Sequence, residues 1–112
     1  MLDTTDHFHP AQDPLLYNRL GATFANSGKT ELAIQYYLEA CALRPGYVRA
    51  RFNLAVANMN LGHYQEAAAH LMTALDIQAE EAKREETYGG APAPATLTSQ
   101  TLWDSLNTSL LM

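Results

Sequence analysis

One stretch of this chain is written twice. From Tyr17 onward the residues recur at an offset of 34 with no gap, so that Leu20 falls on Leu54, Asn26 on Asn60, Gly28 on Gly62, Ala33 on Ala67 and Ala40 on Ala74. A gapless offset of this size leaves few folds open. Each copy holds two apolar-periodic stretches separated by a glycine, which reads as a helical hairpin, and hairpins in tandem bury their apolar faces on one another.

The helices can be placed from local signals. Asp13 is a candidate cap with Pro14 at the first turn, and Leu16, Leu20, Ala22, Phe24 and Ala25 suit a helix from about Leu15 to Ser27, ended by Gly28. Thr30 is the expected cap of a second helix, in which Leu32, Ala33, Tyr36, Tyr37, Ala40 and Leu43 recur at three- and four-residue spacing until Pro45 and Gly46 stop it. The third helix is expected from about Tyr47 to Leu61 and the fourth from about Tyr64 to Gln78, with Gly62 and His63 between them. Small residues at Gly21, Ala33, Ala40, Ala55, Ala67 and Ala74 mark where neighbouring helices approach closely.

Around this pair lie three further segments. Residues 1–13 carry Pro10 and no helical period, and read as an irregular lead-in or the tail of a preceding repeat. Residues 82–98 read as a linker, charged at first and then rich in Gly and Pro, although the run AEEAKREE also suits an extension of the fourth helix. From Ser99 to Met112, Leu102, Trp103, Leu106 and Leu110 are expected on one side of a fifth helix that caps the second hairpin. The fold class is therefore all-α: a solenoid of two hairpins, 14–47 and 48–81, and a C-terminal helix. An array normally needs about three repeats. Two repeats, such a lead-in and an abrupt end suggest the C-terminal portion of a longer protein.

Composition narrows the function. Seven Lys and Arg against twelve Asp and Glu give a net charge of -5, which argues against a nucleic-acid surface. The single cysteine, Cys41, can close no intrachain disulfide and is expected as core filler, in keeping with a reducing compartment. The start MLDTTDHFHP lacks a basic region followed by an apolar run, and no stretch approaches the roughly 20 apolar residues of a transmembrane segment, so a soluble, intracellular protein is expected. His7 and His9 have no second ligand pair, His63 falls in a turn and His70 on an outer helix, so no metal site is expected. No nucleophile motif, phosphate loop or paired carboxylates occur, so neither an enzyme nor a cofactor is expected.

Tyr17, Leu20, Gly21, Phe24, Ala33, Tyr37, Ala40 and Pro45 fit the tetratricopeptide signature, and the chain is similar to that repeat class. The class implies that the first helix of each pair lines a concave surface, which here assigns Asn18, Arg19, Ala22, Asn26, Arg49, Phe52, Asn53, Val56 and Asn60 to the inner wall. Helical geometry groups them independently: Asn18, Ala22 and Asn26 are spaced by four, and Arg49, Asn53 and Asn60 by four and seven. Asn is several tenths of a kcal/mol worse than Ala in a helix, so four of them on two helices ask for a reason. A carboxamide complements a peptide bond, and Arg pairs with a carboxylate. Asn26 and Asn60, each two residues before a glycine, equally suit a cap or turn role. Arg49, at a helix start where the macrodipole disfavours a cation, suits a bound anion or plain solvation. Arg51 is expected to pack or face solvent, and Asn58 reads as a packing departure where the repeat expects an aromatic residue.

Beyond the generic repeat, NRLGATFAN, PGYVRARFNLAVANMNLG and EAAAHLMTAL, within the span Tyr17 to Gln78, resemble the last two repeats of the peroxisomal targeting signal 1 receptor family. LWDSLNTSLLM resembles the start of that family's C-terminal helical bundle. The resemblance implies an import receptor that binds the Ser-Lys-Leu type C-terminal peptide of peroxisomal matrix proteins. It assigns Asn18, Asn26, Asn53 and Asn60 to the peptide backbone and terminus, with Arg49 and Arg19 in the same pocket. It also implies a cytoplasmic protein cycling to the peroxisomal or glycosomal membrane, docking there through regions outside this chain. Two other readings stay open: a chaperone-tail clamp, against which Asn in place of Lys counts, and a scaffold whose hairpin faces pair between chains.

Overall fold

A computed structural model describes residues 12–88 and 99–111. Five helices follow in order: α1 (Pro14–Asn26), α2 (Thr30–Leu43), α3 (Val48–Asn60), α4 (Tyr64–Tyr88) and α5 (Ser99–Leu111). No strand occurs among the described residues. α1 and α2 form the first hairpin, α3 and α4 the second, α2 packs on α3, and α5 lies against α4. The expected all-α solenoid of two hairpins and a terminal helix is the fold observed.

The local signals act through identifiable bonds. The Asp13 carboxylate accepts from the Leu15 N–H at 3.0 Å, with Pro14 at the first helical position. α1 ends in a Schellman turn: the Lys29 N–H reaches the Phe24 carbonyl at 2.9 Å and the Gly28 N–H the Ala25 carbonyl at 3.1 Å. α3 ends the same way, through His63 to Asn58 at 2.8 Å and Gly62 to Met59 at 2.9 Å. Gly28 and Gly62 each hold φ at +79°, a conformation open to glycine at little cost. Thr30 does not cap α2. The turn brings the chain into the helix one residue earlier, Lys29 takes the cap position without a side-chain bond, and Thr30 is the first helical residue.

The core is built at the small residues. Ala33, Ala40, Ala50, Leu54 and Ala57 join Tyr17, Tyr37 and Cys41 in one buried cluster, while Ala55, Ala67, Ala68, Leu71 and Ala74 join Leu102 and Leu106 in a second. α3 belongs to both. Its Ala50, Leu54 and Ala57 face the first hairpin, and its Ala55, with Val48, Phe52 and Met59 beside it, faces α4 and α5. Gly21 is required by contact rather than by φ: a Cβ there would lie 2.5 Å from Cε1 and 2.6 Å from Cδ1 of the buried Tyr37 ring. Phe24 stacks on Tyr36 with ring centres 5.1 Å apart, closing the side of the first hairpin. Arg51 packs, as expected, with a long contact of 3.5 Å to the Pro45 carbonyl. Asn58 is buried and donates to the Leu54 carbonyl at 2.9 Å, which satisfies a polar side chain where the repeat expects an aromatic one.

α4 runs on to Tyr88, so AEEAKREE extends it, and Lys83 pairs with Glu80 at 3.5 Å on its exposed surface. The Gly- and Pro-rich part of the expected linker, 89–98, lies outside the described residues, as do 1–11 with His7, His9 and Pro10. α5 covers the second hairpin, but not through the four residues expected. Leu102, Leu106 and Ser109 are buried, whereas Trp103 and Leu110 face solvent. Spacings of four and three put 102, 106 and 109 on one stripe. Leu110 falls one residue past it, and the Ser109 hydroxyl takes the inward place, 3.1 Å from the Met59 sulfur.

Candidate functional site

Between α1 and α3 the two hairpins leave an open groove of about 300 Å³. Because the repeat places equivalent residues at equivalent depths, Asn26 and Asn60 stand at corresponding points along its wall, at the ends of α1 and α3. The turns behind them are closed by backbone bonds and by glycine at positive φ, so the helix ends do not draw on these two carboxamides as caps. Asn53 lines the groove from the middle of α3, and Thr30 from the first turn of α2. Ala22, Ala25, Val56, Ala57 and the edge of Tyr37 supply the apolar part of the lining.

No ionisable carboxylate, Lys or Arg belongs to this lining. Burial pushes the Tyr37 hydroxyl above its ordinary value, so it too stays neutral at physiological pH. A neutral wall of carboxamides over small apolar residues offers paired donors and acceptors with little steric obstruction, which suits a peptide backbone better than a phosphate or a nucleic acid.

The six residues expected at the site divide into three groups. Asn26, Asn53 and Asn60 line the groove. Asn18 is buried in α1 and reaches the groove through Asn53, whose Nδ2 donates to the Asn18 Oδ1 at 3.0 Å. Arg19 is exposed on α1 and Arg49 is half-buried in the first turn of α3, both outside the lining. Of the other inner-wall positions, Ala22 and Val56 line the groove, while Phe52 packs toward the second cluster. Thr30 and Tyr37 were not expected here. Their spacing of seven on α2 puts them on one helix face, and that pattern was available in the sequence.

No group of three or more His, Cys, Asp or Glu that could hold a metal occurs among the described residues. No described helix is long and apolar enough to cross a membrane. Burial raises the Cys41 thiol pKa, partly offset by the nearby Arg51, which leaves Cys41 a poor nucleophile inside the first cluster.

Comparison with known proteins agrees with the repeat reading. Residues 23–62 match a family model described as TPR repeat, and residues 48–81 one described as Tetratricopeptide repeat. A peroxisomal targeting signal receptor of Candida glabrata is 58% identical over 65 residues, 58% of this chain and 11% of that protein. One of Eremothecium gossypii is 50% identical over 84 residues, 75% of this chain and 14% of that protein. The chain thus spans only a small part of the length of these relatives. Among solved structures, the type III secretion translocator chaperone SycD of Yersinia enterocolitica superposes with a TM-score of 0.72 at 22% identity, over 91% of this chain and 63% of that one, a likeness of fold alone.

Proposed function

The chain belongs to the tetratricopeptide-repeat family, and from that premise we propose that it is part of a peroxisomal import receptor whose groove between α1 and α3 holds the C-terminal targeting peptide of matrix proteins. The observation that carries this reading is the row of carboxamides at Asn26, Asn53 and Asn60 on a neutral, alanine-rich groove. It is supported by the similarity of these repeats to those of yeast proteins named peroxisomal targeting signal receptor.

In this reading the work is recognition without bond making or breaking. The carboxamides satisfy the N–H and C=O groups of an extended peptide whatever its side chains are, and the small residues let the backbone approach. Arg19, exposed midway along α1, and Arg49, in the first turn of α3, draw the free carboxylate by charge rather than by lining the groove. The receptor takes up its cargo in the cytosol and cycles to the peroxisomal membrane, docking there through regions outside these repeats.

The test is fluorescence anisotropy of a labelled peptide ending in Ser-Lys-Leu, against its C-terminally amidated twin. The free acid should bind in preference to the amide, and Asn53→Ala should weaken it about tenfold, the loss of one or two hydrogen bonds. Equal affinity for acid and amide, or an Asn53→Ala variant that binds as well as wild type, would overturn the reading.

A further inference from the structure

A free carboxamide can turn either its oxygen or its nitrogen toward a ligand, since rotation about its last torsion is broad and roughly two-fold. Asn53 has lost that freedom. Its Nδ2 donates to the Asn18 Oδ1 at 3.0 Å, which points the nitrogen at α1 and turns the carbonyl, about 120° away in the same plane, off that helix. One N–H of Asn53 is thereby used, and the carbonyl and the second N–H remain for an occupant of the groove.

The repeat does not call for this pair. The residue equivalent to Asn18 in the second copy is Phe52, packed toward the second cluster, and the residue equivalent to Asn53 in the first is the exposed Arg19. The bond joins non-equivalent positions of neighbouring helices, so it is not the repetition of a structural contact. Packing alone would be served by an apolar side chain at position 18, as it is by Phe52. An amide buried there is costly unless paired, and its side-chain partner among the described residues is a residue of the groove.

We propose that Asn18 is a positioning residue: it fixes the Asn53 carboxamide with the carbonyl presented as acceptor, so the groove takes a segment offering a backbone N–H at that point. This rests on the peptide reading above. Replacing Asn18 by an apolar side chain of similar size frees Asn53 to rotate, and the groove then pays to order it on binding.

The experiment uses the whole chain with Asn side chains labelled with nitrogen-15, as wild type, Asn18→Leu and Asn18→Asp. In the ligand-free protein one Asn53 side-chain proton should be shifted downfield and protected from exchange, lost in Asn18→Leu and kept in Asn18→Asp, which retains the acceptor. Affinity for a peptide ending in Ser-Lys-Leu should fall about fivefold to tenfold in Asn18→Leu and recover in Asn18→Asp. N-methylation of one backbone nitrogen of the peptide should cost wild type more than it costs Asn18→Leu. An Asn53 signal unchanged in Asn18→Leu, or a downfield proton that belongs to Asn18 instead, would overturn the inference. A normal Asn53 signature with no peptide bound by any variant would sink the peptide reading and the acceptor role together, while leaving the pairing itself established.

Discussion

Gly21→Ala isolates one contact between α1 and α2. The added Cβ would lie 2.5 to 2.6 Å from two carbons of the Tyr37 ring, where unstrained carbons sit about 3.5 to 4.0 Å apart, so the ring or the helices must separate by about 1 Å. Tyr37 is only 3% exposed, and apart from the edge that borders the groove its ring is enclosed by the first cluster. Overpacking of this kind costs about 1–3 kcal/mol, and the upper part of that range applies to a ring this deeply buried. Alanine returns about 1 kcal/mol of helix propensity, leaving a net loss of about 1–2 kcal/mol. For a domain of this size that is a fall in melting temperature of about 5–15 °C. The second hairpin supplies the control. At the positions equivalent to Gly21 and Tyr37 it has Ala55 and Leu71, both fully buried in the second cluster. Gly21→Ala combined with Tyr37→Leu copies that pairing into the first hairpin and should be more stable than the sum of the two single changes predicts, by about 1–2 kcal/mol. Thermal and urea unfolding followed by far-UV circular dichroism of the four proteins measures the cycle. A Gly21→Ala variant as stable as wild type, or strictly additive effects, would refute the argument that ring and glycine are matched in volume.

Leu102→Ala empties a fully buried site under α5 and should cost about 2–5 kcal/mol, seen as a lower melting temperature together with faster amide exchange throughout α5. His70 is held below its ordinary value of 6.5 by burial and then by Arg51. Its neutral form is the one the fold prefers, so stability is complete above pH 6.5 and declines on acidification, as the unfolded chain takes the proton first; His70→Gln should flatten the urea midpoint between neutral pH and about pH 5. Cys41 is 6% exposed with its thiol pKa raised, so a disulfide reagent should label it in native buffer only as fast as the protein opens, and at the rate of a free thiol in urea.

What could be read from the sequence was whatever the 34-residue offset repeats. Gly28 and Gly62, the paired alanines and the four repeat helices follow from a period that every helix must share with its copy, and local backbone chemistry is enough to place them. Outside the repeat the reading is weaker, for want of a second copy to check it. On α5 four apolar residues were assigned one side, yet Trp103 is exposed and Ser109 buried: hydrophobicity names candidates for a face, whereas the width of the supporting surface decides how many are covered. The site shows the same limit. Helical spacing groups Asn26 with Asn18, and Asn53 and Asn60 with Arg49, but it cannot say that Arg49 stays outside the groove lining, nor that Asn18 becomes a partner of Asn53, which happens only when α1 and α3 sit side by side. Nor does a sequence say that Thr30 starts a helix instead of capping it, since that depends on how tightly the preceding turn closes.

The placement of α3 in both buried clusters bears on how the molecule comes apart. Neither hairpin can melt alone, because losing the first strips the cover from Ala50, Leu54 and Ala57, and losing the second uncovers Ala55 on the same helix. The two repeats should therefore share a single cooperative unfolding transition, with α3 expected to be the last helix to give up its amide protons. Since α3 also carries Asn53 and Asn60, whatever grips the groove stiffens the element on which both halves depend, and occupancy should be felt as far away as α5 as slower local opening.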